Sequence, residues 1–265
     1  MKEKLTALEN ILRQNAPVII AYSGGVDSAC LLAVATRVLG DQVLGVIADS
    51  PSLPRKALQA AIETAEAFGA RVETIRTDEL ENPEYAENPP NRCYFCKAEL
   101  FSRLDRLAVE RHYAAIAYGE NADDPAHLRP GSKAAAEFKI IAPLKQAGLT
   151  KAEVRELSRQ LGLPTAEAPA QPCLSSRIPH GTPVTLEALS LVEKGEDFIR
   201  SLGFRIFRVR YISDKDSDGA SARLQIAPTE MAHMEELRPH IESGLLAAGF
   251  SDVEIDPNGY RSAGA

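Results

Sequence analysis

The sequence has little of what marks membrane-spanning, secreted or nucleic-acid-binding proteins. No apolar run approaches the roughly 20 residues that a membrane span needs, and the charged first residues, Met1–Leu5, lack the apolar core of a secretion signal. The chain has 30 Lys and Arg against 37 Asp and Glu, and this net charge of −7 weighs against a general nucleic-acid binder. We therefore expect a cytoplasmic protein that binds neither membrane nor nucleic acid.

Cysteine is also scarce, and the four thiols are expected to stay reduced in the cytoplasm. Cys30 lies among apolar residues and is interpreted as a core residue. Cys93 and Cys96 form a C-x-x-C motif, and Cys173 lies far downstream. Three thiolates suit a 4Fe–4S cluster with one uncapped iron. A structural zinc site would need a fourth ligand, for which His180 is closest in sequence. The spacing leaves both interpretations open.

Two common phosphate-binding signatures, G-x-x-x-x-G-K-[ST] and G-x-G-x-x-G, are absent. A different glycine loop, Ser23-Gly-Gly-Val-Asp-Ser28, lies between the apolar runs Pro17–Ile20 and Leu31–Leu39. That order predicts a strand, a tight turn and a helix start, and the first N–H groups of a helix suit phosphate. Asp27 would repel phosphate unless a cation such as Mg²⁺ lies between them. The alternative interpretation is an ordinary Gly-Gly turn.

Strands and helices alternate along the first part of the chain, which predicts an α/β fold with a doubly wound parallel sheet. The predicted strands are 17–22, 43–48, 71–77, 113–118 and 140–144. The predicted helices are 3–15, 28–40, 54–68, 97–112 and 150–162, the last opened by a capping box of Thr150 and Glu153. The segment 78–92 is predicted to be irregular, and a loop of this length is usually functional.

The pattern changes after the proline-rich segment 163–184. Helices are predicted at 185–202 and 229–248, the latter broken at Pro239, and strands at 204–212, 221–227 and 253–255. We therefore predict two domains, 1–184 and a small α+β domain at 185–265, which 265 residues with 45% hydrophobic content can support. Arg208 and Arg210 share one face of a strand and form a candidate phosphate or carboxylate site. The alternative is a solvated strand face.

Several segments, taken together, resemble the LarE family of PP-loop ATP pyrophosphatases. The resemblance covers roughly residues 5–260, and its most specific parts are 91–97 and 172–181. The segments are Ser23-Gly-Gly-Val-Asp-Ser28, Ala48-Asp-Ser-Pro-Ser-Leu-Pro-Arg55, Asn91-Arg-Cys-Tyr-Phe-Cys-Lys97, Asn121-Ala-Asp-Asp124, Arg129-Pro-Gly131 and Pro172-Cys-Leu-Ser-Ser-Arg-Ile-Pro-His-Gly181.

The resemblance implies an ATP-dependent sulfur transferase of nickel-pincer nucleotide synthesis. Such enzymes adenylate a carboxylate of pyridinium-3,5-biscarboxylic acid mononucleotide, release pyrophosphate and form a thiocarboxylate. The cysteine at the position of Cys173 is the sulfur carrier. In one branch of the family this cysteine donates its own sulfur and becomes dehydroalanine. In the other branch three cysteines bind a 4Fe–4S cluster, which carries an added sulfide. With Cys93 and Cys96 present, this chain resembles the cluster branch. The resemblance also implies that sulfide or another sulfur donor is a partner of the protein. It further implies that the protein is a homo-oligomer.

The predicted site follows from the glycine loop and this resemblance. Lys97 is a candidate contact to phosphate or the adenylate, or else a solvated lysine. Arg177 is a candidate contact to substrate or triphosphate. Gln225 stands where the family is expected to have an acidic residue; Glu196 and Asp197 are acidic ligands or surface charges. The predicted catalytic residues are Cys173, Asp27, Lys97 and Arg177. The predicted ATP-, Mg²⁺- and nucleotide-binding residues are Ala21, Ser23, Gly24, Gly25, Asp27, Ser28, Ala48, Ser50, Arg208 and Arg210. The predicted cluster ligands are Cys93, Cys96 and Cys173.

Two other functions compete with this one. A PP-loop tRNA thiolation enzyme would explain the glycine loop, but the net charge and the absence of an obvious RNA-binding module argue against it. A non-catalytic iron–sulfur scaffold or sensor would explain the cysteines but would leave the glycine loop without a role.

Overall fold

The computed structural model describes residues 1–125, 130–169, 172–214 and 219–260. These residues divide into two compact units, one formed by Met1–Asn82 with Asn91–Gln171 and the other by Pro83–Pro90 with Pro172–Ala265. Arg129, part of one segment of the family resemblance, lies outside the described residues. No helix within the described ranges is long and apolar enough to cross a membrane.

Helices and strands alternate along the first unit, as the sequence predicts. The elements of both units are numbered together in chain order. The helices, in chain order, are α1 (Lys2–Gln14), α2 (Val26–Leu39), α3 (Arg55–Ala67), α4 (Pro83–Ala86), α5 (Arg92–Glu110), α6 (Pro130–Glu137), α7 (Pro143–Gln146), α8 (Lys151–Gln160), α9 (Leu186–Ser201) and α10 (Met231–Ala248). The strands are β1 (Val18–Ala21), β2 (Val43–Asp49), β3 (Val72–Arg76), β4 (Ala115–Tyr118), β5 (Phe207–Ser213), β6 (Ala220–Ile226) and β7 (Asp252–Ile255). Short 3₁₀ helices lie at Gly40–Gln42, Glu79–Glu81, Pro164–Glu167, Leu174–Arg177 and Pro228–Glu230.

The first unit is built on a parallel sheet in the order β3-β2-β1-β4. Alternate side chains of β1 enter opposite cores, because successive residues of a strand point to opposite faces. Val18 and Ile20 pack in one core with residues of α1, α2 and α8, and Ile19 packs in the other with residues of α5 and α6. Helices therefore cover both faces, and the predicted doubly wound fold is confirmed.

The second unit is a small α+β structure, as predicted. Its sheet has the order β5-β6-β7, with β5 antiparallel and β7 parallel to β6. Phe207, Val209 and Leu224 point from one face of this sheet into a core shared with α9 and α10. The alternation of the strands then places Arg208 and Arg210 on the opposite face.

The division between the units differs from the predicted boundary near 184. Residues 83–90 and 172–184 lie in the second unit, and the two segments hydrogen-bond to each other. Val184 N donates to Ala86 O at 2.8 Å, and Gly181 N donates to Asn88 O at 3.0 Å. The buried Asn88 amide also donates to the carbonyls of Ile178, Pro179 and Thr182. The local sequence pattern carries no signal for this pairing of distant segments.

Four predictions differ in the structure. The segment 78–92, predicted to be irregular, contains the 3₁₀ helix Glu79–Glu81 and the helix α4. Helix α5 begins at Arg92, not 97, so the C-x-x-C motif lies within it. The predicted strand 140–144 is wrong: Ile141 forms an isolated bridge with Ala117, and α7 follows, with Pro143 in its first turn, where a missing N–H costs nothing. Helix α10 continues through Pro239, because packing of its apolar face stabilises the helix against the lost hydrogen bond.

Candidate active site

The glycine loop joins β1 to α2 at the carboxyl edge of the parallel sheet. Gly25 is the N-cap of α2, and Gly24 has a φ of +74°. A Cβ on Gly24 would lie 2.7 Å from the Cβ of Ala61 in α3, so the loop has no room for a side chain there. The N–H groups in the first turn of α2 have no partner within the helix, and the helix dipole adds partial positive charge. The residues present therefore fit a phosphate group.

The two serines of the loop brace its conformation. The Ser23 amide donates to Ser28 Oγ at 3.2 Å, and Ser28 Oγ donates to Gly25 O at 3.1 Å. The two hydroxyl oxygens are 3.1 Å apart. Ser28 is buried and Ser23 is exposed. Ser23 is thus the predicted hydroxyl with the better access to a ligand.

Asp27 lies in the first turn of α2 and has a lysine as ion-pair partner. Lys151 Nζ donates to Asp27 Oδ2 at 2.5 Å, and Asn121 Nδ2 donates to Asp27 Oδ1 at 3.2 Å. The backbone of Lys151 is held by Asp123, whose Oδ2 accepts from the Lys151 amide at 2.7 Å. A carboxylate beside a phosphate-binding loop fits Mg²⁺, which prefers oxygen ligands. Lys151 was missed by the sequence reasoning, because only the fold brings α8 to the loop.

The end of β4 contributes a second group of residues that the sequence reasoning missed. Gly119 approaches α2 so closely that an added Cβ would lie 2.7 Å from Ser28 N. Glu120 is buried and accepts from the Tyr118 hydroxyl, from Ser132 Oγ at 2.8 Å and from Lys145. Burial opposes the charged carboxylate, but these hydrogen bonds outweigh burial and lower the pKa of Glu120.

Lys97 lies at the same edge, in α5. Its Nζ is 4.8 Å from the centroid of the Tyr118 ring. Gly131 of α6 lets it pass, since a Cβ there would lie 2.6 Å from Lys97 Cδ. A small cavity of about 50 Å³ is lined by Lys97, Tyr118, Gly119, Glu120, Asp124 and Ser132. Lys97 therefore lies in a polar recess of the first unit rather than on an open helix surface.

The carboxyl ends of β1 and β2 carry three more of the residues predicted to bind ATP. Ala21 and Ala48 are small and partly exposed. Ser50, however, is buried; its hydroxyl donates to the Glu79 carboxylate and accepts from the Ser52 amide at 3.0 Å. Its position favours a bracing role in the loop after β2, and a contact with ATP stays a prediction.

The cysteines have contrasting surroundings. Cys30 is fully buried, and burial raises the pKa of its thiol to about 12, so the core interpretation is confirmed. Cys93 is exposed and Cys96 partly exposed, and they are one turn apart in α5. Cys173 is partly exposed and precedes the 3₁₀ helix Leu174–Arg177.

The predicted cluster ligands are divided between the units, with Cys93 and Cys96 in the first and Cys173 in the second. In the part of the chain that the structure describes, no group of three His, Cys, Asp or Glu side chains is arranged to hold a metal ion. Two accessible thiols on one helix face fit a pair of cluster ligands. The cluster itself stays a prediction.

Arg177 is buried in the second unit. Its Nε and Nη2 donate to Glu196 at 2.7 and 3.0 Å, and its Nη1 donates to the carbonyls of Pro172 and Cys173. Glu196 is 3% exposed, so its interpretation as a surface charge is wrong. Asp197 pairs instead with Arg200 at 2.5 Å. A direct contact between Arg177 and substrate stays a prediction, and the geometry shows a different set of partners.

Arg208 and Arg210 extend this cationic group. Arg208 Nη2 donates to the Tyr260 hydroxyl at 3.3 Å, and Arg210 Nε donates to Gln225 Oε1 at 2.9 Å. Burial, followed by the charge of Arg177, lowers the pKa of both guanidinium groups. Positive charge is therefore concentrated on this face, and the solvated-face alternative does not describe the buried Arg208.

The parallel sheet with helices on both faces and the glycine loop at the start of α2 define a PP-loop, ATP-using enzyme. Residues 3–115 match the family model described as NAD synthase. One subunit of the glutamine-hydrolyzing GMP synthase of Archaeoglobus fulgidus is 28% identical over 70% of this chain and 65% of its own length.

Two relatives match nearly the whole chain. The uncharacterized protein slr1717 of Synechocystis sp. is 39% identical over 99% of this chain and 96% of its own length. The pyridinium-3,5-bisthiocarboxylic acid mononucleotide synthase of Lactiplantibacillus plantarum is 32% identical over 98% of this chain and 92% of its own length. The chain belongs to the family of this synthase, the LarE family.

Proposed function

We propose that the protein is an ATP-dependent sulfur transferase that converts carboxylates of pyridinium-3,5-biscarboxylic acid mononucleotide into thiocarboxylates for nickel-pincer cofactor synthesis. The observation that carries the proposal is the similarity to the Lactiplantibacillus synthase, which extends over both units. The phosphate-binding geometry of the glycine loop supports the ATP-dependent half of the reaction.

The first unit activates the carboxylate. The loop Ser23–Ser28 holds the phosphates of ATP, and Mg²⁺, bound near Asp27, offsets their charge. If Asp27 were to bind Mg²⁺, the Lys151 ammonium, which pairs with Asp27 in the structure, would become available to the phosphates. A substrate carboxylate oxygen attacks the α-phosphorus, the bond to the β-phosphate oxygen breaks, and pyrophosphate leaves. The product is an acyl-adenylate, whose AMP is a far better leaving group than oxide. Lys97 stabilises negative charge in this step.

The second unit contributes Cys173 and holds the nucleotide. Arg208 and Arg210 bind the phosphate of the mononucleotide, because an anion stabilises guanidinium groups that burial and the charge of Arg177 disfavour. A sulfur nucleophile attacks the acyl carbon, and the bond to the AMP oxygen breaks. If the nucleophile is sulfide, the product is the thiocarboxylate itself. If it is the Cys173 thiolate, the product is a thioester; loss of the Cα proton of Cys173 and cleavage of its Cβ–S bond then release the thiocarboxylate and leave dehydroalanine. Cys173 is the proposed carrier of that sulfur.

Cys93, Cys96 and Cys173 are the proposed ligands of a 4Fe–4S cluster that would carry an added sulfide. Anaerobic reconstitution tests this set. We expect the parent protein to bind iron and sulfide, and we expect Cys93→Ala, Cys96→Ala and Cys173→Ala each to lose both. Cys30→Ala is the matched control. Unchanged iron content in all three variants would contradict the proposed cluster.

The decisive experiment for the function is mass spectrometry of protein and products after anaerobic incubation with ATP, the dicarboxylate nucleotide and sulfide. A thiocarboxylate with Cys173 intact supports transfer from added sulfide. A thiocarboxylate with Cys173 converted to dehydroalanine supports transfer of the cysteine's own sulfur. If no thiocarboxylate forms, the proposal fails. Thiolation of tRNA under the same conditions would then support the alternative function, that of a tRNA thiolation enzyme.

A further inference from the structure

The short turn that carries Cys173 is tightly organised. We call Pro172–Arg177 the Cys173 turn. Leu174 and Ser175 are buried, whereas Cys173 is partly exposed. The Cys173 carbonyl accepts from the Ser176 amide at 3.0 Å and from Ser176 Oγ at 2.8 Å. The backbone on both sides of the thiol is therefore fixed while the thiol itself is accessible.

Arg177 ties this turn to α9. Its Nη1 donates to Pro172 O at 2.5 Å and to Cys173 O at 3.0 Å, while Nε and Nη2 form two hydrogen bonds with Glu196. The side chains of Arg177 and Glu196 are only 3% and 4% exposed. Glu196 Oε1 also accepts from the Val209 amide at 3.3 Å, which fixes the carboxylate to β5.

Two further side chains hold the same turn. Arg210 Nη1 donates to the Ser176 carbonyl at 2.7 Å. The hydroxyls of Tyr85 and Ser175 are 2.8 Å apart and hydrogen-bonded. The Cys173 turn is thus held by residues of α4, α9 and β5, of which α4 is distant from it in sequence.

We propose that Arg177 and Glu196 are positioning residues that fix the backbone of Cys173, so that its sulfur is presented in one orientation during transfer. The catalytic consequence rests on the proposed function, whereas the structural consequence does not. A buried ion pair is often no more stabilising than apolar residues of the same volume, so stability alone is a weak reason for this pair. Arginine suits the position because its planar guanidinium binds a carboxylate with two donors and still reaches the two carbonyls.

The test uses the full-length double variant Arg177→Met/Glu196→Leu, which removes the charge pair and the carbonyl donors but keeps the volume. The control is Glu235→Leu/Arg238→Met, which removes an exposed pair in α10 with an N–O distance of 2.8 Å. We measure thermal unfolding, hydrogen exchange of the Ser176 amide, substrate-dependent ATP–pyrophosphate exchange, and thiocarboxylate formation.

We expect the unfolding temperature of the double variant to stay close to that of the parent, and Ser176 exchange to accelerate about tenfold or more as the turn opens. ATP–pyrophosphate exchange stays within about twofold, whereas thiocarboxylate formation falls about 100-fold, the size of effect that a small misplacement of a reacting group causes. The control changes none of these. Arg177→Lys keeps a cation beside Glu196 but cannot make the whole set of hydrogen bonds, so we expect the same pattern of changes. This variant replaces the double variant in the test if the double variant does not fold.

Unchanged Ser176 exchange in a folded variant would overturn the proposal. So would an equal loss of ATP–pyrophosphate exchange and thiocarboxylate formation, because Arg177 would then act on the activation step. If the parent protein makes no thiocarboxylate, the proposed function fails, and the Ser176 exchange rates still decide whether Arg177 and Glu196 fix the turn.

Discussion

At the scale of single residues, Gly24 is the strictest requirement of the phosphate loop. An alanine there meets both a positive φ of +74° and the Cβ of Ala61 at 2.7 Å. We expect Gly24→Ala to weaken ATP binding at least tenfold and to destabilise the protein by about 1–3 kcal/mol. Gly40→Ala is the matched control, because Gly40 has a φ of +56° but no atom within 4 Å of the added Cβ. Calorimetric titration with ATP checks this, and equal affinities for the two variants would contradict it.

Asp27 is a second single residue that gives a test, because its substitution is expected to lower activity with little change in stability. Asp27→Asn keeps an acceptor for Asn121 and loses the charge that faces Lys151, whose side chain is 40% exposed. Half-exposed ion pairs contribute below about 1 kcal/mol, so we expect little change in stability. Release of pyrophosphate should fall about 100-fold or more, because the charge proposed to bind Mg²⁺ is gone. Asp41→Asn, at an exposed position, is the control. Parental activity in the Asp27→Asn variant would contradict the proposed role of Asp27 in binding Mg²⁺.

At the scale of elements, the start of α8 makes the stability of the folded protein depend on pH. The hydrogen bond from Lys4, followed by the Thr150 backbone amide, lowers the pKa of Glu153 to about 2 from an ordinary 4.5. The unfolded chain therefore binds the proton at higher pH than the folded chain does. The contribution of Glu153 to stability is complete above about pH 5 and is lost as the pH falls from 4.5 towards 2. Urea unfolding should show Glu153→Gln less stable than the parent at about pH 7, with the gap closing below about pH 4. A gap that is constant with pH would contradict the shift.

Elements that depend on neighbouring residues are the ones the sequence predicts well. The capping box of α8 and the strand–turn–helix order around Gly24 are local patterns, and both are present. The continuity of α10 through Pro239 is not local, because packing of its apolar face decides it. The same holds for the site: Lys151 beside Asp27 and Glu196 beside Arg177 are contacts between residues distant in sequence, and a single sequence gives no signal for such pairs.

At the scale of the whole molecule, the described residues form separate hydrophobic cores in the two units. Leu32 lies in a core of the first unit and Ile241 in the core of the second, and each is fully buried. Truncating such a residue to alanine costs about 2–5 kcal/mol. A ligand stabilises only the species that binds it, by about 2.7 kcal/mol at 100 times its Kd. We therefore expect calorimetry to show that Ile241→Ala destabilises the second unit while ATP still raises the unfolding temperature of the first.

Leu32→Ala is the matched variant for that experiment, because it truncates a buried leucine in α2, the helix that presents the phosphate loop. We expect it to destabilise the first unit and to weaken the ATP-induced shift, since loosening α2 disturbs the N–H groups that are proposed to hold phosphate. Hydrogen exchange should locate each effect in the unit that carries the substitution. If Ile241→Ala removed the ATP-induced shift as completely as Leu32→Ala, the phosphates of ATP would depend on the second unit, and the assignment of ATP binding to the glycine loop of the first unit alone would be wrong.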